Sequence, residues 1–180
     1  MTSIAAVVVS LPERHTLLVE ALTSVHNQNR APDDTVIGVD PYRYGEVANM
    51  NRLIDATDCE WLAFLHDDDL WTADHLAVAE KHMDDADIIV ARFELVGRHP
   101  ASLEPWHDNF ADLHRTNWFP PSCVVARRSV FGEWMQPDGH HWIDWTNWVR
   151  LLEAGARFAD TKTKTVTYRF GCWGNGSWGG

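Results

Sequence analysis

Apolar positions in the first half of the chain alternate between short unbroken runs and stripes at three- and four-residue spacing. Ile4 to Val9 is a β-branched run bounded by Ser10, which reads as a buried strand. Glu13 stands three residues after Ser10 and Pro12 lies between them, a capping-box pattern that predicts a helix with Leu17, Leu18, Ala21, Leu22 and Val25 on one face. After the Pro32-Asp33-Asp34 turn, Thr35 to Asp40 reads as a second strand, and Val47, Met50 and Ile54 mark a second helix. Trp61 to Leu65 predicts a third strand. Thr72 is placed to cap a helix carrying Leu76, Ala79 and Met83, and Asp87 to Phe93 reads as a fourth strand. Strand and helix in alternation predict a single-domain, Rossmann-like α/β fold: a mostly parallel sheet flanked by helices.

The second half is less periodic. Residues 97–121 are rich in Pro, His and Trp and predict a long loop with short helical turns. Ser122 to Ala126 reads as a strand. Trp142, Trp145, Trp148, Val149 and Leu152 fall at helical spacing, with Gly155 suited to the helix end. Val166, Tyr168 and Phe170 alternate like a half-buried strand. The expected domain spans 1–170, followed by a Gly/Trp-rich tail over 171–180.

Composition narrows the function classes. A length of 180 residues fits one domain, and 15 Lys+Arg against 26 Asp+Glu give a net charge of -11, which opposes the phosphate-neutralising surface of a general nucleic-acid binder. Cys59, Cys123 and Cys172 are far apart and form no CxxC pair, so neither a disulfide framework nor a zinc ribbon is indicated. The N-terminal run lacks a basic flank and is too short for a signal peptide or a membrane span, so a cytoplasmic location is expected. Asn175-Gly176-Ser177 then reads as turn chemistry rather than a glycosylation site. Tryptophan is in surplus, with eight of the ten after residue 100.

The third apolar run ends in His66-Asp67-Asp68-Asp69. Adjacent carboxylates repel, so a strand end carrying three needs a compensating cation or full hydration. Ligands in open α/β sheets bind at the carboxyl ends of strands, and hard carboxylate oxygens suit Mg²⁺ or Mn²⁺ together with diphosphate oxygens.

With that run, the chain resembles the GT-A glycosyltransferases of family 2, which move sugars from nucleotide-diphosphate donors. The resemblance rests on Ser10 and Pro12 after the first strand, the LLVEALTSVHNQ helix from Leu17 to Gln28, and Phe64-Leu65-His66-Asp67-Asp68-Asp69-Leu70-Trp71 with His75-Leu76. It extends to His140-His141-Trp142-Ile143-Asp144-Trp145, Trp148, Arg150 and Gly155, which is similar to the family's EDWxLWxRL…G segment. The likeness implies a UDP- or GDP-type sugar donor contacted by Ser10, Pro12, Asp40, Asn51, Arg52 and Asp67, with Asp40 at the nucleobase. It implies Mn²⁺ or Mg²⁺ held by Asp68, Asp69 and His66. The family's DxD falls either on His66-Asp67-Asp68, with His66 replacing the first aspartate, or on Asp67-Asp68-Asp69. Asp144 matches the family's catalytic base, with Ile143 in place of the preceding glutamate.

The resemblance therefore implies inverting transfer to an acceptor hydroxyl on a glycan, a protein or a small molecule. Tyr168-Arg169 matches a family pair, but the metal-completing His that follows it elsewhere has no counterpart after His141. Trp118, Trp142, Trp145 and Trp173 are the candidate acceptor or sugar contacts. Among these, helical spacing favours core or pocket wall for Trp142 and Trp145, whereas Trp106, Trp118, Trp173 and Trp178 lie in loop-like sequence. The competing class is a non-catalytic carbohydrate-binding protein. A metal hydrolase is disfavoured, since the ten histidines include no HExxH spacing.

Overall fold

Ile4–Val9 have no accessible surface at all, and neither do Trp61–Leu65. A strand that must be apolar on both faces can only lie in the middle of a covered sheet, and that is where both segments sit. The computed structural model describes residues 2–40, 42, 45–97, 106–136, 139 and 142–170. In chain order its elements are β1 (Ile4–Ser10), α1 (His15–His26), β2 (Asp34–Val39), α2 (Glu46–Asp55), β3 (Trp61–His66), β4 (Leu70–Trp71) and α3 (His75–Glu80). These are followed by β5 (Ile88–Gly97), β6 (Val124–Arg127), α4 (Arg128–Phe131), α5 (Ile143–Glu153) and β7 (Phe158–Phe170).

The strands of the described residues form one sheet in the order β2-β1-β3-β6-β5-β7-β4. β1 pairs in parallel with β2 and β3, and β5 with β7. β6 runs antiparallel between β3 and β5, and β4 antiparallel to β7. The expected mostly parallel α/β sheet is present, with β6 and β4 reversed. Because β1, β2 and β3 point the same way, Ser10, Asp40 and Asp67 emerge at one edge. β6 starts at that edge because it is reversed, which brings in Ser122 from the turn before it.

The helices cover the sheet through the predicted faces. Leu17, Ala21 and Val25 of α1 are buried, as are Val47, Met50 and Ile54 of α2. Short turns at Phe110–His114 and Pro121–Cys123 punctuate the long connection after β5. Gly155 ends α5 at φ 81°, the left-handed conformation that favours glycine. Among the described residues no helix is long and apolar enough to cross a membrane.

Three local expectations are corrected. Ser10 does not cap α1: it is the last residue of β1, its hydroxyl donates to Asp67, and no side chain caps that helix. Thr72 does not cap α3 either. Gln28, 48 positions from Leu76, accepts the Leu76 N–H at 3.0 Å and donates to the Thr72 carbonyl at 2.7 Å. A partner fixed by tertiary packing thus takes the place of the local one. The final strand is 13 residues, longer than the Val166–Phe170 alternation indicates. Its first part is held by the Arg92–Asp160 ion pair, with an irregular register opposite Val90–Phe93.

Gly38 sets how closely α2 approaches β2. A β-carbon there would lie 2.6 Å from Asn49 Oδ1 and 2.8 Å from Leu53 Cδ1. Asn49 cannot give way cheaply, because Nδ2 donates to the Gly38 carbonyl and Oδ1 accepts from Arg52. Gly38→Ala is expected to destabilise the fold by about 1–3 kcal/mol, read from the urea midpoint.

Candidate active site at the carboxyl edge of the sheet

The aspartates of the triplet meet different surroundings, although Asp67 and Asp68 share Arg14. Asp67, fully buried, accepts from Ser10 Oγ at 2.6 Å and from Arg14 Nη1 at 3.0 Å. Asp69, also buried, accepts from Ser122 Oγ at 2.6 Å and from the Arg169 backbone N–H at 3.1 Å. Burial and the adjacent Asp68 charge push Asp69 above the ordinary carboxylate range, against the bonds from Ser122 and Arg169 and the charge of His66. Asp68 turns outward, its side chain 29% exposed, with Arg14 Nη1 at 3.4 Å. Arg169 braces the turn by donating from Nε to the Asp68 carbonyl and from Nη1 to Glu20.

His66 faces Glu46, in the first turn of α2. Its Nε2 lies 3.1 Å from Glu46 Oε1, an ion-pair distance at which no aligned hydrogen bond forms. Burial would push the imidazole down, but Glu46, backed by Asp68 and Asp69, carries it up to about 10, so it is a cation at neutral pH.

Asp144 lies in the first turn of α5, which begins at this edge. Asn117 Nδ2 donates to its Oδ2 at 2.8 Å and the Trp145 backbone N–H to its Oδ1 at 2.8 Å. Desolvation pushes the carboxyl up to about 6; Glu46 adds to this, while the two hydrogen bonds and His66 oppose it. Tyr168 of β7 faces the same group: burial and the charges of Asp69, Asp144 and Asp68 all raise its hydroxyl. Asp144, the triplet, Glu46, His66 and Tyr168 therefore share one electrostatic environment.

The residues expected to hold a metal are not presented alike. Asp69 is buried, with each oxygen accepting one hydrogen bond, and His66 is turned toward Glu46, whereas Asp68 faces outward. Among the described residues no group of three or more His, Cys, Asp or Glu is arranged to hold an ion. The geometry fits a thinner site: the single carboxylate of Asp68, with remaining positions for phosphate and water, a mode common for Mg²⁺.

The other residues expected to contact ligand lie in differing surroundings. Both ends of the Asn51 amide are spent on the Trp134 backbone, at 2.9 and 2.7 Å, so Asn51 pins a loop. Arg52, two turns into α2, bonds Asn49. Asp40 is buried at the edge as expected, and its Oδ2 accepts from Gly45 N at 3.0 Å. Pro12 is exposed in the turn that opens α1. Trp118 is fully buried against His107, Phe110 and Phe119, which removes it as a sugar contact. Trp106 is half-buried, its indole N–H donating to Asp160. Trp145 is half-buried and donates from Nε1 to the Leu113 carbonyl, and Trp148 is core. Trp142, expected in the core or a pocket wall, precedes the helix as its N-cap and is 77% exposed. Trp173 and Trp178, with His140 and His141, lie outside the described residues.

Arg14, Glu46, Asn117 and Ser122 carry no motif that marks them in the sequence. Arg169 had one signal, the Tyr168-Arg169 pair.

The sheet order and the acidic turn after β3 define a GT-A-like α/β fold as the class. The family model for glycosyl transferase family 2 matches residues 39–142, more than half of the chain, and the chain belongs to that family. No curated protein matches by sequence. Among solved structures, residues 1–349 of S. aureus TarS superpose with a TM-score of 0.72 at 12% identity, over 93% of this chain and 60% of that one. The same protein in complex with UDP-GlcNAc gives 0.72 at 14% identity, over 93% and 58%. Its complex with UDP gives 0.67 at 13%, over 93% and 60%. At such identity the likeness is one of fold, and the chain spans about three fifths of the length of these structures.

Arg14 is the cation that makes a buried Asp67 tolerable. Arg14→Met should leave that carboxylate uncompensated and cost about 3–5 kcal/mol in denaturant unfolding, far more than an exposed pair would.

Proposed function

We propose that the chain is an inverting glycosyltransferase in which Asp144 is the general base and Asp68 faces the diphosphate of a nucleotide-sugar donor. The observation that carries this reading is Asp144 itself: a half-buried carboxylate, held at both oxygens and tuned to about 6, at the edge where the acidic turn of β3 emerges. A sugar hydroxyl is a poor nucleophile, and a base poised just below neutral pH can take its proton as the hydroxyl oxygen attacks the anomeric carbon. The bond to the diphosphate breaks with its electron pair on the leaving oxygen. Attack from the face opposite that oxygen inverts the anomeric centre.

The edge carries more carboxylates than cations, since Arg14, Arg169 and His66 face Asp67, Asp68, Asp69, Glu46 and Asp144. A diphosphate adds negative charge, so a cation arriving with the donor is favoured. Asp68 would hold Mn²⁺ or Mg²⁺, whose chemistry is to neutralise charge on the departing diphosphate. A UDP-type donor is supported by the fold likeness to TarS, solved with UDP-GlcNAc and with UDP. The exposed Trp142, two residues before Asp144, offers an aromatic face to an acceptor.

The test is turnover of UDP-GlcNAc and other UDP- and GDP-sugars with Mn²⁺. Asp144→Asn is expected to lower turnover by about 10²–10⁴-fold while UDP binding is retained; a variant as active as the parent refutes the base. Because the base works ionised, kcat/KM should fall as pH drops through about 6. Asp68→Ala should abolish the Mn²⁺-dependent part of UDP binding in calorimetric titration, and an unchanged titration places the cation elsewhere.

A further inference from the structure

The amides around this edge divide into two kinds. Asn51 spends both ends on one backbone residue, and Asn147 pins the Met135 N–H and carbonyl while also reaching the Ile143 carbonyl. Asn49 bonds the Gly38 carbonyl and Arg52. Each of these holds structure together. Asn117 is different: its hydrogen bond is to the Asp144 carboxylate, and its own Oδ1 is buried with no partner. A buried amide oxygen left without a donor is unfavourable, and a purely scaffolding role does not account for keeping it.

The frame around Asn117 is rigid and shared with the helix that carries Asp144. Trp145 donates from Nε1 to the Leu113 carbonyl, four residues before Asn117. Phe119, two residues after Asn117, packs on Trp148 with ring centroids 5.6 Å apart, and Trp148 lies one turn beyond Asp144. The segment is thus fastened to α5 on both sides of the Asn117–Asp144 contact. This is how a hydrogen bond is held to a fixed length and direction.

We infer that Asn117 is a positioning residue for the transfer reaction, fixing the orientation of the Asp144 carboxylate. The inference rests on the reading of Asp144 as the base. The other groups facing Asp144 are the Trp145 N–H of its own helix, Glu46 of α2, His66 of β3 and Tyr168 of β7. Among these, Glu46 raises the carboxyl and His66 lowers it, while Asn117 contributes the largest lowering that opposes desolvation. Removing the amide while keeping its volume should therefore shift the titration upward.

Asn117→Leu and Asn117→Asp test this in the full chain. The Asp144 carboxyl is followed by ¹³C NMR across pH, its signal identified by its disappearance in Asp144→Asn. It should titrate about one unit higher in Asn117→Leu and higher again in Asn117→Asp, where a like charge replaces the donor. Asn117→Asp has the native size, so it carries the test if leucine does not pack. With UDP-GlcNAc and Mn²⁺, Asn117→Leu should lower kcat about tenfold near pH 6 with KM for the donor unchanged, and the acid limb should move with the NMR titration. An Asp144 titration that stays at its native position in both variants overturns the inference. Full turnover by Asp144→Asn instead overturns the base reading, so the two failures are distinguishable.

Discussion

Three consecutive carboxylates directly after a strand buried over Trp61–Leu65 must each be accommodated, and much of this edge is built around that demand. Left together they would repel one another strongly in a low dielectric. The turn after β3 separates them by direction, and together they meet groups from three distant parts of the chain. Ser10 and Arg14 come from the end of β1 and the turn opening α1, Ser122 from the turn before β6, and Arg169 from the far end of β7. Satisfying the triplet therefore ties distant segments to one edge and leaves Asp68 as the carboxylate that faces outward.

The second constraint is aromatic. Phe131, Trp134 and Trp148 pack in mutual contact and Phe119 joins them through Trp148, so this cluster seats α5 and the 110–119 segment relative to each other. The tryptophan surplus is largely architectural: Trp61, Trp118, Trp134 and Trp148 are almost wholly buried, and Trp142 alone among the described tryptophans stands in solvent. Membership of glycosyl transferase family 2 and the GT-A fold follow from the chain and its topology together. The base proposed here depends on the aromatic packing for its position, since Asn117 and Asp144 reach each other only because that packing is rigid.

Readable from the chain alone were the central strands, the buried faces of α1 and α2, the acidic turn at the sheet edge and membership of the family. These are legible because a strand buried on both faces must be continuously apolar, and a helix face must repeat near 3.6 residues. Local chemistry read from spacing fared worse. Ser10 looked like a helix cap and Thr72 like another, yet a hydroxyl near a helix start is taken by whichever partner the tertiary fold brings closer. For Ser10 that partner is Asp67, 57 residues away.

Packing between distant elements alone sets which members of the acidic run are buried and which faces outward, that His66 faces Glu46, that Trp118 is core while Trp142 is exposed, and that Asn117 reaches Asp144. Each of these depends on contacts between residues far apart in the chain. Hydrophobic periodicity records which side of an element is buried, but it does not record which polar group will lie opposite another once the elements have packed.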